Sequence, residues 1–428
     1  MPRPNSNSIR RLPVQIRHVA LVLHRYGGLL MAAFLLVAGL TGSVLAFNWE
    51  LERVFAPQLF ATHKPGVAKL DLATLAERAQ ALVPQGRAEI ITFTQPDQVM
   101  VYFVPRADPK THRPYVLGFT EFFLDPWTGK ELGRRDRANL SQGRVNVMPF
   151  IYEVHWMLMA GNVGQWIMGS VALLWSLDCF LGFYLTLPRG RGGFWRRWRY
   201  AWWVKWRASG FRVNFDLHRA SGLWVWPLLL IFAWSSVMMN IRPVYERVMH
   251  AVFDYQSPMD EFMANARPND SPRLGWHEAL ATGQRLIAEQ SVQRGFTVGE
   301  PLGFMYFPET GAYGYEVRGS RDLFERAPKG GGTSVMFDGD TGQLRDLSQP
   351  TGEHAGNTVE SWLYALHMAR VFGRPYQVFV CVLGLLVSTL SFTGVYIWWK
   401  KRNVRLTANR MMMLDETYSR SRAGRKVQ

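Results

Sequence analysis

His24-Arg25-Tyr26-Gly27-Gly28 opens a run that stays almost wholly apolar as far as Phe47. At about 1.5 Å of rise per helical residue, the run is long enough to cross a hydrocarbon core of roughly 30 Å. It carries an imidazole just inside one end. The pattern returns at His218-Arg219, again with a glycine four residues beyond the histidine (Gly28, Gly222) and then a leucine (Leu29, Leu223). The chain therefore reads as a duplicated unit, each copy opening with a histidine-bearing membrane helix.

Working outward, 48% of the 428 residues are apolar, an ordinary value for a soluble protein. Here long apolar runs are diluted by two long polar segments, so the composition describes a membrane protein with large extramembrane parts. The formal charge of +16 raises nucleic acid as a partner. The charge lies beside helix ends instead. Between Arg189 and Arg212, Arg196, Arg197, Arg199, Lys205 and Arg207 interleave with Trp195, Trp198, Trp202, Trp203 and Trp206. Placed between two apolar spans, this is an interfacial loop with Trp at the headgroups and basic residues on the cytoplasmic side. Nucleic acid is set aside on that ground. Cys179 and Cys381 are the two cysteines, both inside apolar runs and without a Cys-x-x-Cys-His pattern, which argues against a disulfide framework and covalently attached haem.

In chain order, residues 1–17 read as a disordered basic cytoplasmic tail and 18–47 as a first span. A cleaved signal peptide is the competing reading, but the span is long for one and its counterpart at His218 is internal. Residues 48–151 lose membrane character. Leu70 to Leu82 has helical periodicity, Ile90 to Val104 and Tyr115 to Leu124 read as strands, and Asp125-Pro126-Trp127-Thr128-Gly129 as a turn. A second span covers 152–188, the basic loop 189–212, and a third span 213–241, whose Pro227 a membrane helix tolerates. Residues 242–363 repeat the earlier grammar: a helix from Trp276 to Gln290, strands near Gly303 to Phe307 and Tyr313 to Arg318, and an Asp338-Gly339-Asp340-Thr341-Gly342 turn. Gly330-Gly331-Gly332 reads as a loop. A fourth span, 364–400, precedes a cytoplasmic tail, 401–428.

Tyr152, His155, Gly161, Gly182 and Tyr184 recur at one constant offset as Tyr364, His367, Gly373, Gly394 and Tyr396. Tandem copies that start on the same side are related by an axis along the membrane normal. His24 and His218 then lie near the cytoplasmic ends of their helices, and His155 and His367 near the outer face. Ionisable residues at membrane depth are costly and mark function. Zinc and non-haem iron need three or four protein ligands, which neither pair supplies in both copies. Haem iron already has four porphyrin nitrogens, and two imidazoles complete it. The expectation is two haem b groups, one on His24 and His218 and one on His155 and His367. Gly28 and Gly222 would leave room for the macrocycle, Arg25 and Arg219 would hold propionates, and Tyr152 and Tyr364 would line the outer site. Close helix packing for the glycines and interfacial anchoring for the arginines and tyrosines are the plainer readings.

The opening His-Arg with its glycine, Thr41-Gly42, the Thr-Gly turns, and Gly182 and Gly394 near their helix ends together resemble the bacterial PepSY-associated transmembrane-helix proteins, over about residues 17–402. Ser235-Ser236 stands where the first copy has Thr41-Gly42. Some members of that family are inner-membrane ferric-siderophore reductases. The resemblance thus implies a four-helix membrane bundle of two tandem parallel repeats with two periplasmic α+β PepSY-like domains and both termini cytoplasmic. It also implies electron transfer to a ferric siderophore. The absence of a Gly-x-Gly-x-x-Gly fingerprint points to a quinol or a separate cytoplasmic reductase as donor. A haem-free siderophore permease or accessory protein, and a PepSY-type regulatory membrane protein, stand as the alternatives.

Overall fold

The computed structural model describes residues 6–190, 192–257, 263, 266–323 and 332–424. The helices are α1 (Ser6–Leu45), α2 (Asn48–Phe55), α3 (Leu72–Leu82), α4 (Val147–Met157), α5 (Gly161–Thr186), α6 (Phe194–Trp198), α7 (Gly210–Trp224), α8 (Trp226–Asn240), α9 (Arg242–Val252), α10 (Trp276–Arg294), α11 (Ala355–His367) and α12 (Gly373–Gly424). The backbone is already helical from Ser6, where the sequence reading placed a disordered tail. Two compact units result, one of Met1–Ser43, Ile167–Ser236 and Val382–Gln428, the other of Val44–Trp166 and Val237–Cys381.

The first unit is helical. Gln15–Leu45, Gly161–Thr186 and Gly373–Thr407 are each long and apolar enough to span a bilayer; α7 and α8 make a fourth span if taken together. They meet at a 70° bend. Pro227 causes it, because its ring removes the amide that would bond the Leu223 carbonyl and crowds the preceding turn. Leu229, Leu383, Val387 and Cys179 form the bundle core. Small residues let α1 and α12 approach closely: a Cβ on Gly39 would lie 2.5 Å from the Gly384 carbonyl and from Ser388 Oγ. Neither Cys179 nor Cys381 is part of a disulfide.

The second unit is built on one eight-stranded antiparallel sheet, in the order β4-β3-β2-β1-β5-β6-β7-β8. The stretch from Ile90 to Val104, expected as a single strand, is a hairpin of β1 (Gly86–Gln95) and β2 (Gln98–Pro105). Pro96-Asp97 makes the turn, since Pro lacks the ladder donor and both residues favour reversal. Of Tyr115 to Leu124, β3 (Glu121–Leu124) is strand. β4 (Glu131–Arg135) completes the first half. The second half holds β5 (Val298–Phe307), β6 (Ala312–Gly319), β7 (Thr333–Asp338) and β8 (Leu344–Ser348). Gly330 and Gly331 lie outside the described residues; Gly332 donates its N–H to Glu316 Oε1 at 2.7 Å.

The halves join where β1 pairs with β5, Ile90 to Met305, Ile91 to Phe304 and Thr92 to Gly303. α3 and α10 pack their apolar stripes on one face, and one core runs through both halves from Leu72, Leu75 and Ile91 to Phe304, Tyr315 and Phe337. Gly283 on α10 is required by that packing: a Cβ there would lie 2.7 Å from the Tyr315 Cβ.

Phe337→Ala should cost about 3–5 kcal/mol of folding stability, as a fully buried ring lost from a shared core does. Limited proteolysis across a denaturant series measures it. The turn after β7 predicts a pH dependence. Burial raises the Asp338 pKa, but Arg345 at 2.5 Å and the N–H groups of Asp340 and Thr341 lower it further, leaving it below the usual carboxylate value. Its contribution is therefore present above the unfolded carboxylate pKa of about 4 and is lost as pH falls through the depressed folded value. Asp338→Asn should flatten the acid limb of the stability profile.

Candidate functional site: two facing histidine pairs

The first pair lies in the helical unit, His24 on α1 and His218 on α7. Their ring centres are 6.3 Å apart with planes inclined at 55°. Each ring backs onto a glycine of another helix. A Cβ on Gly182 would stand 3.5 Å from His24 Cε1, and one on Gly394 would stand 3.2 Å from His218 Cε1. Both glycines are therefore places where an imidazole is seated against a bare helix.

Neighbours on those helices fix the rings. Asp178, one turn before Gly182, places its carboxylate oxygens 2.9 and 3.0 Å from His24 Nδ1. Thr393, adjacent to Gly394, brings Oγ1 to 3.0 Å from His218 Nδ1. With Nδ1 engaged in both rings, Nε2 is left for a ligand, and the bonded group fixes the orientation of the imidazole it holds. Sequence reading missed both residues. A signal for Asp178 was present: it is a lone carboxylate inside an apolar span, which seldom occurs without a task.

The surrounding residues divide. A Cβ on Gly28 would meet nothing within 4 Å, so that helix face is open; on Gly222 it would make ordinary contact with Leu390 at 3.7 Å. Arg25 is half-buried on α1. Arg219 gives its donors to the Tyr200, Ala201 and Trp203 carbonyls at 2.7, 3.2 and 3.2 Å and pairs with Asp216 at 2.8 Å. It thereby holds the tryptophan-rich loop, whose Trp195, Trp203 and Trp206 are exposed.

The second pair lies in the sheet unit, with ring centres again 6.3 Å apart and planes at 66°. His155 is in the last turn of α4, and His367 is the last residue of α11. Neither helix runs on into the span that follows. The chain breaks at Leu158, Met159 and Gly161 in one half and at Ala369, Phe372 and Gly373 in the other, all at positive φ. Four non-glycine residues in that region are costly, and such strain persists where the surroundings hold it.

Those surroundings are ion pairs. On α4, Glu153 pairs with Arg137 at 3.0 Å; Arg137 also reaches Glu121 at 3.3 Å and lies over the Tyr152 ring at 4.9 Å. On α11, Glu360 takes Arg242 at 2.7 Å and the Tyr255 hydroxyl at 2.6 Å. Tyr364 packs with Val371 and Tyr376. Of the other histidines, His250 stacks edge-on with Tyr255 at 5.0 Å, His354 bonds Asp254 at 2.9 Å and His277 bonds Glu77 at 3.2 Å.

The spacing allows a test of what the pairs fit. A metal–imidazole bond of about 2 Å on each side, plus roughly 1.1 Å from each nitrogen to its ring centre, adds to about 6.2 Å. Both pairs stand at that separation, and in the first pair Nδ1 is engaged, so Nε2 is the nitrogen left for a metal. Two axial imidazoles on one iron porphyrin are compatible with this geometry.

Apolar spans, an antiparallel sheet domain and paired histidines define a membrane protein with lipid contacts and a large extramembrane part. The profile of the PepSY-associated TM region matches residues 21–401. The chain belongs to that family. A search of the curated proteins returned no match.

Gly394→Val should force the His218 ring from its seat and destabilise the solubilised protein by about 1–3 kcal/mol, whereas Gly182→Ala, whose Cβ would make ordinary van der Waals contact with His24 at 3.5 Å, should change stability by less than about 1 kcal/mol. Thermal unfolding in detergent distinguishes the two.

Proposed function

We propose that this protein is a di-haem b electron-transfer enzyme of the bacterial inner membrane that reduces ferric siderophores and so releases their iron. The observation that supports it best is the equal separation of two imidazole pairs, each pair drawing one ring from either half of the chain. In this reading the spans form a four-helix bundle of two tandem parallel repeats. The N-terminal segment, the Arg/Trp loop and the C-terminal segment face the cytoplasm by the positive-inside rule, and the sheet domain is periplasmic.

Haem held by the two pairs supplies one-electron transfer through a layer that excludes polar solutes. His24 and His218 hold it near the cytoplasm, His155 and His367 near the periplasm. Asp178 fixes the His24 tautomer and places a negative charge beside that ligand, which would favour the oxidised iron at this site; the neutral hydroxyl of Thr393 would do less for His218. A quinol, or a separate cytoplasmic reductase, is the donor. One quinol gives up two electrons and two protons, and each ferric ion takes one electron, so one quinol serves two chelates. Hard oxygen donors hold ferrous iron less firmly, and the reduced ion leaves.

The purified protein should be red with a reducible b-type spectrum and about two haems per chain; His155→Ala or His367→Ala should leave about one. Asp178→Asn should raise the midpoint potential of one haem component and leave the other in place, which spectroelectrochemical titration resolves. Colourless protein that still bound a ferric chelate would replace this reading with a haem-free permease or accessory role.

A further inference from the structure

We infer that the chelate reduced in the proposed reaction is a polycarboxylate one, and that it docks in an arginine-lined cleft of the sheet unit; the inference rests on the electron-transfer reading and deepens it. The cleft has a volume of about 350 Å³ and is walled by Trp49, Arg53, Arg370, Gly373, Arg374 and Gln377. That is the size of a small-ligand site.

Its electrostatics select the ligand. Arg53 is balanced: it donates to Asp97 at 2.6 and 2.7 Å and to Gln95 at 2.7 and 3.1 Å, and so serves as a fixed wall. Arg370 is nearly buried, with its guanidinium carbon 3.2 Å from the centre of the Trp49 ring, so the cation is held flat by stacking. Arg374 is exposed and pairs with no carboxylate among the described residues. It sits in the first turn of α12, where Gly373, at φ +62°, turns the chain into the helix. The first-turn N–H groups lack partners within the helix and add partial positive charge at the same wall. Glu50 is the only carboxylate among the described residues lining the cleft, and its buried Oε2 accepts no hydrogen bond. Two guanidinium groups and a helix N-terminus against one carboxylate leave a net cationic cleft suited to oxyanions.

Position ties the cleft to the second histidine pair. Ala369 and Arg370 line it and follow His367 by two and three residues. Consecutive Cα atoms are about 3.8 Å apart, so Arg370 lies within roughly 11 Å of His367, backbone to backbone. A ferric chelate bound there would sit beside the exit of the relay.

The test is calorimetric titration of ferric citrate into the full-length protein in phosphatidylcholine nanodiscs. Arg374→Ala should weaken binding about ten-fold or more, Arg374→Glu should abolish it, and raised salt should weaken it in the wild type. The absorption spectrum and haem content should be unchanged in both variants, which separates loss of the site from misfolding. A neutral hydroxamate chelate should bind more weakly and be indifferent to Arg374. Equal affinity of wild type, Arg374→Ala and Arg374→Glu for ferric citrate overturns the assignment. So does loss of binding when phosphatidylglycerol replaces part of the lipid, which would give the cleft to a lipid headgroup. Absence of haem would defeat the electron-transfer reading, yet would leave the calorimetric result standing on its own.

Discussion

An imidazole placed in a hydrocarbon layer needs a partner for its ring N–H, and that requirement organises the helical unit. His24 meets it with Asp178 and His218 with Thr393, through bonds of about equal length but unequal charge. The glycines at 182 and 394 exist beside those partners because the rings must come within van der Waals distance of a neighbouring helix. The carboxylate and the bare backbone one turn away act as one seat. A ring so held has lost most of its rotational freedom before any ligand arrives, which lowers the entropic cost of binding one.

The second pair is held by different means. Here the histidines sit at the ends of short helices that are separated from the spans by left-handed residues; Arg137 ties α4 to Glu121 of β3, and Glu360 ties α11 to Arg242 at the start of α9. Arg137 and Arg242 are accordingly as much a part of the site as the rings. The backbone breaks end α4 and α11 before the helices that follow, so the two histidines sit on short helices of their own.

Much of this could be read from the chain, and the omissions have physical causes. The repeated His-Arg and the constant offset between Tyr152 and Tyr364 pointed to all four paired rings, because a repeated sequence pattern keeps side chains and spacing together. The same offset concealed Asp178 and Thr393: their counterparts are Leu390 and Leu181, so a search for matched residues passes over them. Apolar character located the spans, but the break before α5 is carried by Leu158 and Met159, residues with no turn preference, and the bend at Val225 depends on how far Pro227 disrupts its own turn. In the sheet, Pro96-Asp97 was a turn signal inside an apolar stretch, and the hairpin it closes is set by that dipeptide. Most elusive was the pairing of β1 with β5, since nothing local in either strand names a partner two hundred residues away.

That seam also limits how the molecule can be divided. A fragment ending before Val298 would leave the outer edge of β1 unmatched, with its amides and carbonyls turned to water beside Ile90 and Ile91. Such an edge recruits whatever strand is nearest. Half-length proteins cut at the internal boundary would therefore pair with one another or precipitate, and the two halves are best regarded as a single folding unit whose midpoint is a row of hydrogen bonds.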